Sequence, residues 1–172
     1  MMKAFGVAAI IIGMGLIGLA FSRGLYRRKR ELEQIRFGLQ LLETEIVFAQ
    51  RPLAYALKNC GARLTGEIGT IFKLGGDTLL SGEGASGETA LLQAICDRER
   101  YLSLNRSEIA TLKRLATGLG LSDLEDQKTK LRFFQRQLDE EIARATEEGN
   151  KWQKIYGAGG WVLGLLLALI LI

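Results

Sequence analysis

The sequence predicts an all-α protein, a cytoplasmic six-helix bundle flanked by an N-terminal and a C-terminal transmembrane helix. Uncharged apolar runs of 18 residues occupy Ala4–Phe21 and Ile155–Ile172. At helical rise each run is about 27 Å long, close to the hydrocarbon thickness of a bilayer. The residues between them repeat apolar side chains at helical spacing, and no segment alternates convincingly as a strand does. The predicted domains are therefore a transmembrane helix (1–22), a cytoplasmic helical domain (23–154) and a second transmembrane helix (155–172).

The distribution of charge predicts which side of the membrane the helical domain faces. The formal net charge is +4, yet residues 31–150 hold all 19 acidic residues and only 15 of the 23 basic ones, a net charge of −4. Basic residues beside a span favour the cytoplasmic face, because they resist translocation and pair with anionic headgroups. We therefore expect a two-pass protein of the cell membrane with both termini outside, and membrane lipid rather than nucleic acid as the partner of this charge. These topology and headgroup residues are Arg23, Arg27, Arg28, Lys29, Arg30, Lys151 and Lys154.

The first apolar run is predicted to be a retained anchor and not a cleaved signal peptide. Its end, Leu19-Ala20-Phe21-Ser22, has no pair of small residues placed before a cleavage point. A strongly basic segment follows at once, which favours an anchor.

The first two helices of the domain follow from an apolar stripe and a proline. Apolar residues at steps of three and four predict a first helix over about 27–50, continuing from the first span. Pro52 predicts the start of a second helix over about 52–60, since proline costs nothing at the first helical position. Gly61 is predicted to end that helix. The stripe of the first helix is Leu32, Ile35, Leu39, Leu42, Ile46 and Ala49.

A glycine-rich loop separates the third helix from the fourth. The third is predicted over about 62–80, with Gly75-Gly76 kinking it or ending it early. Gly82–Gly87 is a loop in which Ser86 caps a fourth helix over about 87–101. The same loop matches a dinucleotide-binding glycine pattern, but that motif needs a preceding strand, and a helix is predicted there.

Capping signals predict the last two helices. Asn105 and Glu108 have the spacing of a capping box, which opens a fifth helix to about Thr117. A second capping box, Ser122 with Glu125, opens a long sixth helix that continues into the second span.

The residue inventory argues against catalysis. The chain has no histidine and only two cysteines far apart, so a zinc site and the commonest general base are both missing. It also lacks the phosphate-binding Gly-x-x-x-x-Gly-Lys-Ser/Thr segment. We expect a protein that is not an enzyme and that binds no cofactor or metal.

Two groups of residues are candidates for protein contacts. In the second apolar run, Gly157, Gly160 and Gly164 lie at steps of three and four, which allows close packing against another membrane helix. In the domain, the turn Gly118–Asp123 is the candidate partner contact, although a helix stop followed by a cap explains the same residues. The members singled out in this turn are Gly118, Gly120, Ser122 and Asp123.

Several segments resemble one known family. Residues 36–57, RFGLQLLETEIVFAQRPLAYAL, and 112–127, LKRLATGLGLSDLEDQ, are similar to the stage III sporulation protein AB family, as is the glycine- and leucine-rich C-terminal run. The order of a leucine-rich helix, a Pro-Leu helix start, a glycine loop and 118–124 more distantly resembles cytoplasmic domains of type II secretion F-family proteins. The glutamate that precedes the last long helix in that family is missing here.

The resemblance implies a non-enzymatic component of the channel complex between mother cell and forespore in endospore-forming bacteria. It implies placement in the mother-cell membrane around the forespore. It further implies that the domain is a platform for a secretion-type ATPase of the same sporulation operon and for other membrane subunits of the channel. The residues themselves leave open a two-span sensor or adaptor, a small membrane-bound enzyme, and homo-oligomerisation.

Overall fold

A computed structural model describes residues 2–81, 84–119 and 124–171, with side chains described for 23–81, 84–119 and 126–151. Over the described residues the protein is all-α, with six α-helices and no strand, as the sequence predicts. A π-helical turn, Thr44–Phe48, follows the first helix, and a 3-10 turn, Glu99–Tyr101, follows the fourth. The helices are α1 (Met2–Glu43), α2 (Leu53–Arg63), α3 (Gly66–Leu80), α4 (Gly87–Arg98), α5 (Arg106–Thr117) and α6 (Leu124–Leu171).

The chain divides into two compact units. The first combines Met1–Lys29 with Ala143–Ile172, and the second is Arg30–Ile142. Helices α1 and α6 each contribute residues to both units. The side chains of both predicted membrane spans lie outside the described residues, and within the described residues no helix is both long enough and apolar enough to cross a bilayer.

In the second unit, α1 and α6 run antiparallel. Arg36 of α1 forms an ion pair with Asp139 of α6, while Glu43, seven residues further along α1, accepts hydrogen bonds from Arg132 at 2.9 Å and Gln135 at 3.0 Å. Residues further along α1 therefore contact residues nearer the N-terminus of α6, which is the antiparallel arrangement. From α2 to α5, successive helices pack on one another.

The core of the second unit confirms most of the predicted stripe on α1. Five of its six members are buried, and Ala49 is exposed because α1 gives way to the π-helical turn before that position. The opposing side chains come from all five other helices. Those with the least exposure and the largest volume are Leu57, Ile68, Ile71, Ile95 and Leu131.

The prediction that Gly61 ends α2 was wrong, because the helix continues to Arg63. A Cβ at Gly61 would lie only 2.6 Å from the backbone N of Lys73, so its missing side chain lets α2 and α3 approach backbone to backbone. The same reason explains Gly76, where a kink or an early end was expected, whereas a Cβ at Gly75 would lie 2.9 Å from the Leu91 side chain of α4. Helix α3 runs through both to Leu80, and a Cβ at Gly76 would lie 2.8 Å from the backbone N of Lys58.

Two of the predicted helix starts are confirmed in atomic detail. The Ser86 hydroxyl accepts a hydrogen bond from the Thr89 backbone N–H at 3.1 Å and caps α4. At α5 both halves of the capping box are present: Asn105 Oδ1 accepts from the Glu108 N–H at 2.9 Å, and the Glu108 carboxylate accepts from the Asn105 N–H at 2.7 Å. Helix α5 ends at Thr117 as predicted, whereas Ser122 and Asp123 lie outside the described residues.

The remaining differences lie at helix ends. Helix α3 starts at Gly66 and not near residue 62, because Leu64 and Thr65 are extended and Gly66 has a φ of +67°. Helix α4 ends at Arg98, and the three residues that follow form the 3-10 turn. These ends depend on single backbone angles, which apolar periodicity does not report.

Candidate partner-binding site

The sharpest departure from regular helix is where α1 turns into α2. The last turn of α1 widens into the π-helix Thr44–Phe48, and Gln50 adopts a φ of +48°. Positive φ is rare for a residue other than glycine, and single π-helical turns occur frequently at functional sites. Pro52 then caps α2 with extended backbone. We name residues 44–55 the α1–α2 corner.

The carboxylate of Glu45 stabilises this corner through contacts with two other residues. Glu45 pairs with Arg51 at 3.2 Å and accepts a hydrogen bond from Asn59 of α2 at 3.3 Å. Its carbonyl oxygen also accepts from the Arg51 N–H at 3.0 Å, and its side chain is only 13% exposed. Arg51, the neighbour of the strained Gln50, is therefore held to Glu45 through both its side chain and its backbone N–H, which stabilises the shape of the turn.

The corner presents large aromatic side chains to solvent. Phe48 is 73% exposed, the most of any large apolar residue among the described side chains, and Tyr55 in the first turn of α2 is 54% exposed. Arg51, also exposed, lies between them in sequence. Aromatic residues and arginine are the types that contribute most to protein–protein binding energy. A rigid turn that exposes phenylalanine, arginine and tyrosine is therefore suited to binding another protein.

The surroundings of Cys60, which lies near this corner, reduce the reactivity of its thiol. Burial raises the pKa of the Cys60 thiol from 9.0 to about 12, the nearby Glu45 carboxylate raises it further, and Arg63 opposes the shift. A thiol that keeps its proton at neutral pH is a poor nucleophile. Among the described residues, no group of three or more His, Cys, Asp or Glu is placed to hold a metal ion.

A small gap in the second unit is too small for a ligand. It lies among α1, α5 and α6, with Ile35, Thr111 and Phe134 in its lining, and holds about 10 Å³. A single water molecule needs at least about that volume.

The turn chosen from the sequence is only partly described. Gly118 ends α5 with a φ of −89°, an ordinary right-handed conformation that any residue adopts, so its position requires no glycine. Gly120, Ser122 and Asp123 lie outside the described residues. The use of this turn as a partner contact therefore stays a prediction.

The residues predicted to lie in or beside the membrane are also only partly described by the structure. The side chains of Gly157, Gly160, Gly164 and Lys154 lie outside the described set. Of the basic residues that are described, Arg28 and Lys29 are half-buried, and Arg28 pairs with Glu148 of α6 at 2.5 Å. The exposed members are Arg23, Arg27, Arg30 and Lys151.

Sequence reasoning missed Phe48 and Tyr55, although a signal for Phe48 was present. Phe48 follows Ile46 by two positions, about 200° around a helix, and so falls off the apolar stripe of α1. A large apolar residue on the polar face of an amphipathic helix is a candidate contact. The π-helical turn and the φ of Gln50 have no comparable signal in the sequence.

Comparison with known proteins gives consistent matches. The model of the family described as stage III sporulation protein AB matches residues 3–172. Stage III sporulation protein AB of Bacillus subtilis (strain 168) is 30% identical over 171 residues, which cover 99% of this chain and 99% of that protein. A solved structure of stage III sporulation protein AB is similar with a TM-score of 0.67 at 30% identity, covering 72% of this chain and 97% of that one.

Proposed function

The chain belongs to the stage III sporulation protein AB family and so has a role in sporulation, and from this premise we propose that it is a non-enzymatic membrane platform of the channel complex between mother cell and forespore. Its terminal helices hold it in the mother-cell membrane around the forespore, with residues 23–154 in the cytoplasm. The basic residues beside both apolar runs support this orientation. The platform docks a secretion-type ATPase and joins it to other membrane subunits of the channel.

The observation that carries the docking proposal is the exposed Phe48 on the α1–α2 corner. A side chain of this size left 73% exposed gains the apolar burial that folding did not give it only when a partner covers it. The Glu45 contacts hold the turn in one shape before binding, and a preorganised surface loses less entropy on association. Arg51 and Tyr55, which are exposed and close to Phe48 in sequence, add polar groups of the kind that protein interfaces contain.

The proposed mechanism is recognition and force transmission rather than bond chemistry. Helix α1 (Met2–Glu43) and helix α6 (Leu124–Leu171) each contain residues of the second unit and of a predicted span. In the proposed mechanism, a tilt or rotation of the domain passes to the predicted spans along these two helices.

The test is binding of the purified, full-length chain in detergent to the ATPase encoded in the same operon. Phe48→Ala should weaken binding about tenfold or more, as truncation of a central aromatic contact does. The matched control is Phe133→Ala, which removes an equally large side chain that is 61% exposed on α6. It should leave the affinity unchanged.

Both variants should keep the melting temperature of the parent chain, because neither side chain belongs to the core. No binding of the parent chain to the ATPase would overturn the platform proposal. Equal affinities for the parent and Phe48→Ala would instead remove the corner as the docking site. Weakening by Phe133→Ala alone would move the site to α6.

A further inference from the structure

A second large aromatic side chain, Phe133 of α6, is left in solvent. It is 61% exposed, and its ring meets that of Phe134 edge to face with 5.7 Å between the centroids. The neighbouring core positions on α6 are Leu131 and Leu138, so Phe133 lies off the buried stripe of this helix. Its ring therefore contacts Phe134 and still presents apolar surface to solvent.

Helix α5 places an arginine at the same part of α6. Thr111 Oγ1 of α5 accepts hydrogen bonds from Arg114 Nη2 at 3.0 Å and from Gln137 Nε2 of α6 at 3.5 Å. Gln137 follows Phe133 by four residues, so these two side chains lie on neighbouring turns of the same helix face. Arg114 therefore lies at the α5–α6 contact about one turn from Phe133.

The charge on this surface is positive and partly unpaired. Residues 127–138 of α6 contain four basic residues and no acidic one, although residues 31–150 carry a net charge of −4. Arg136, three residues after Phe133, is exposed and has no hydrogen bond or ion pair in the part of the chain that the structure describes. Arg114 is also exposed and donates only to an uncharged hydroxyl. Both guanidinium groups can therefore accept a carboxylate partner without breaking an ion pair.

The turn predicted as a partner contact begins at this surface. Gly118 ends α5, and a Cβ there would lie 3.6 Å from Lys130 Cδ of α6. Lys130 precedes Phe133 by three residues, and its ammonium lies 3.9 Å from the Asp126 carboxylate. We name four residues the α5–α6 face: Arg114, Lys130, Phe133 and Arg136.

From these observations we propose that the α5–α6 face binds an acidic segment of another protein. Carboxylates of that segment pair with Arg114 and Arg136, and one of its apolar side chains covers the Phe133 ring. Arginine and aromatic residues contribute most to the binding energy of protein interfaces, and hydrogen bonds between guanidinium and carboxylate groups are among the strong ones. Complementary charge also selects an acidic partner over a basic one.

A protein segment fits this face better than a nucleic acid does. Nucleic acids are held by many phosphate contacts at once, whereas this face is a small positive area on a domain whose residues 31–150 are negative overall. The face is also separate from the α1–α2 corner. Arg132, about 100° around α6 from Phe133, pairs instead with Glu43 of α1. The inference thus adds a second docking surface and does not depend on ATPase docking at the corner.

The test is binding of a short fluorescent peptide that repeats Glu-Glu-Leu to the full-length chain in non-ionic detergent, measured by fluorescence anisotropy. We expect saturable binding that weakens as salt rises, and no binding of the matching Lys-Lys-Leu peptide. Arg136→Gln should weaken binding about tenfold, because it removes a charged hydrogen-bond donor. Phe133→Ala should weaken it about fivefold.

Arg106→Gln is the matched control. Arg106 is likewise exposed and has no ion pair among the residues that the structure describes. It precedes Arg114 by eight residues on α5, about 12 Å along the helix. This variant should bind the peptide as the parent chain does, and all three variants should keep the parent melting temperature. No binding of the acidic peptide, or equal weakening by Arg106→Gln and Arg136→Gln, would overturn the proposal.

Two further arms identify the kind of partner. If single-stranded oligothymidine bound more tightly than the peptide and Arg136→Gln released it, the face would be a nucleic-acid site and the proposal would be wrong. The ATPase should bind Arg136→Gln and the parent chain equally, and a reduced affinity would overturn the inference of a separate second surface. Failure of the ATPase to bind the parent chain contradicts only the platform proposal, because the peptide measurement does not involve the ATPase.

Discussion

At the scale of single residues, Cys60 shows how burial changes the pKa of a side chain and thereby the pH dependence of stability. Its side chain is completely buried in α2, and its pKa is raised to about 12, first by burial and then by Glu45. The folded chain keeps the thiol proton up to about that pH, whereas the unfolded chain loses it above about 9. Between these values the unfolded state binds fewer protons, so folding stability falls as pH rises.

Replacing Cys60 should make the chain less sensitive to alkali. In the parent chain, this one group lowers the free energy of unfolding by at most about 1.4 kcal/mol per pH unit above pH 9. Cys60→Ala lacks that contribution. Its melting temperature should therefore fall less between pH 8 and pH 10.5 than that of the parent chain, both measured in the same detergent. Equal falls would show that the thiol titrates alike in both states.

The α1–α2 corner shows which features of the candidate site could be predicted from single residues and which could not. The burial of Ile46 was predictable from the apolar stripe, and the position of Phe48 off that stripe was visible in the sequence. The turn that presents Phe48 was not predictable from the sequence. It depends on a π-helical hydrogen-bond pattern and on a positive φ at Gln50, which Glu45 holds through contacts with Arg51 and Asn59.

At the scale of helices, glycine governs how closely α2 and α3 pack. Gly61, Gly69 and Gly76 all lie where a Cβ would come within 3.0 Å of backbone atoms of the neighbouring helix or of the α2–α3 turn. Backbone cannot move aside as a flexible side chain can. These glycines therefore set the spacing of the hairpin, although their helix propensity is poor.

Gly76→Ala should destabilise the bundle. The new Cβ would lie 2.8 Å from the Lys58 N and 2.9 Å from the Ala54 O, and overpacking of this kind costs about 1–3 kcal/mol. We expect a melting temperature lower by several degrees.

The control for this change is Gly118→Ala in the same unit. Gly118 has a φ of −89°, and its Cβ would be no closer than 3.6 Å to Leu115 or Lys130. The substitution should leave the melting temperature unchanged or slightly raise it. If Gly76→Ala were as stable as Gly118→Ala, close backbone packing would not be what holds α2 against α3.

A helix boundary could be predicted from the sequence where its signal is local, and could not where it depends on a distant residue. Capping side chains act locally, so Ser86 and the pair Asn105 and Glu108 identified their helix starts from spacing alone. Gly61 resembled a helix end for an equally local reason, but its role depends on Lys73, twelve residues away on another helix. Sequence periodicity predicted the core of α1 for a further reason: a buried stripe must recur at the helical period.

At the scale of the whole molecule, composition alone would mislead. A net charge of +4 is compatible with nucleic-acid binding, yet residues 31–150 carry a net charge of −4 and the excess of positive charge lies beside the apolar runs. Family membership assigns the chain to sporulation. The proposed platform combines a topology predicted from this charge with an exposed corner proposed to bind the partner.

The most direct test of this platform is site-specific photocrosslinking in sporulating cells that express the full-length chain. A photoreactive phenylalanine analogue replaces Phe48 in one strain and Phe133, the exposed aromatic on α6, in another. The account predicts a crosslink to the sporulation ATPase from position 48 and none from position 133. Crosslinking from 133 and not from 48, or none from either position while the complex is assembled, would contradict it.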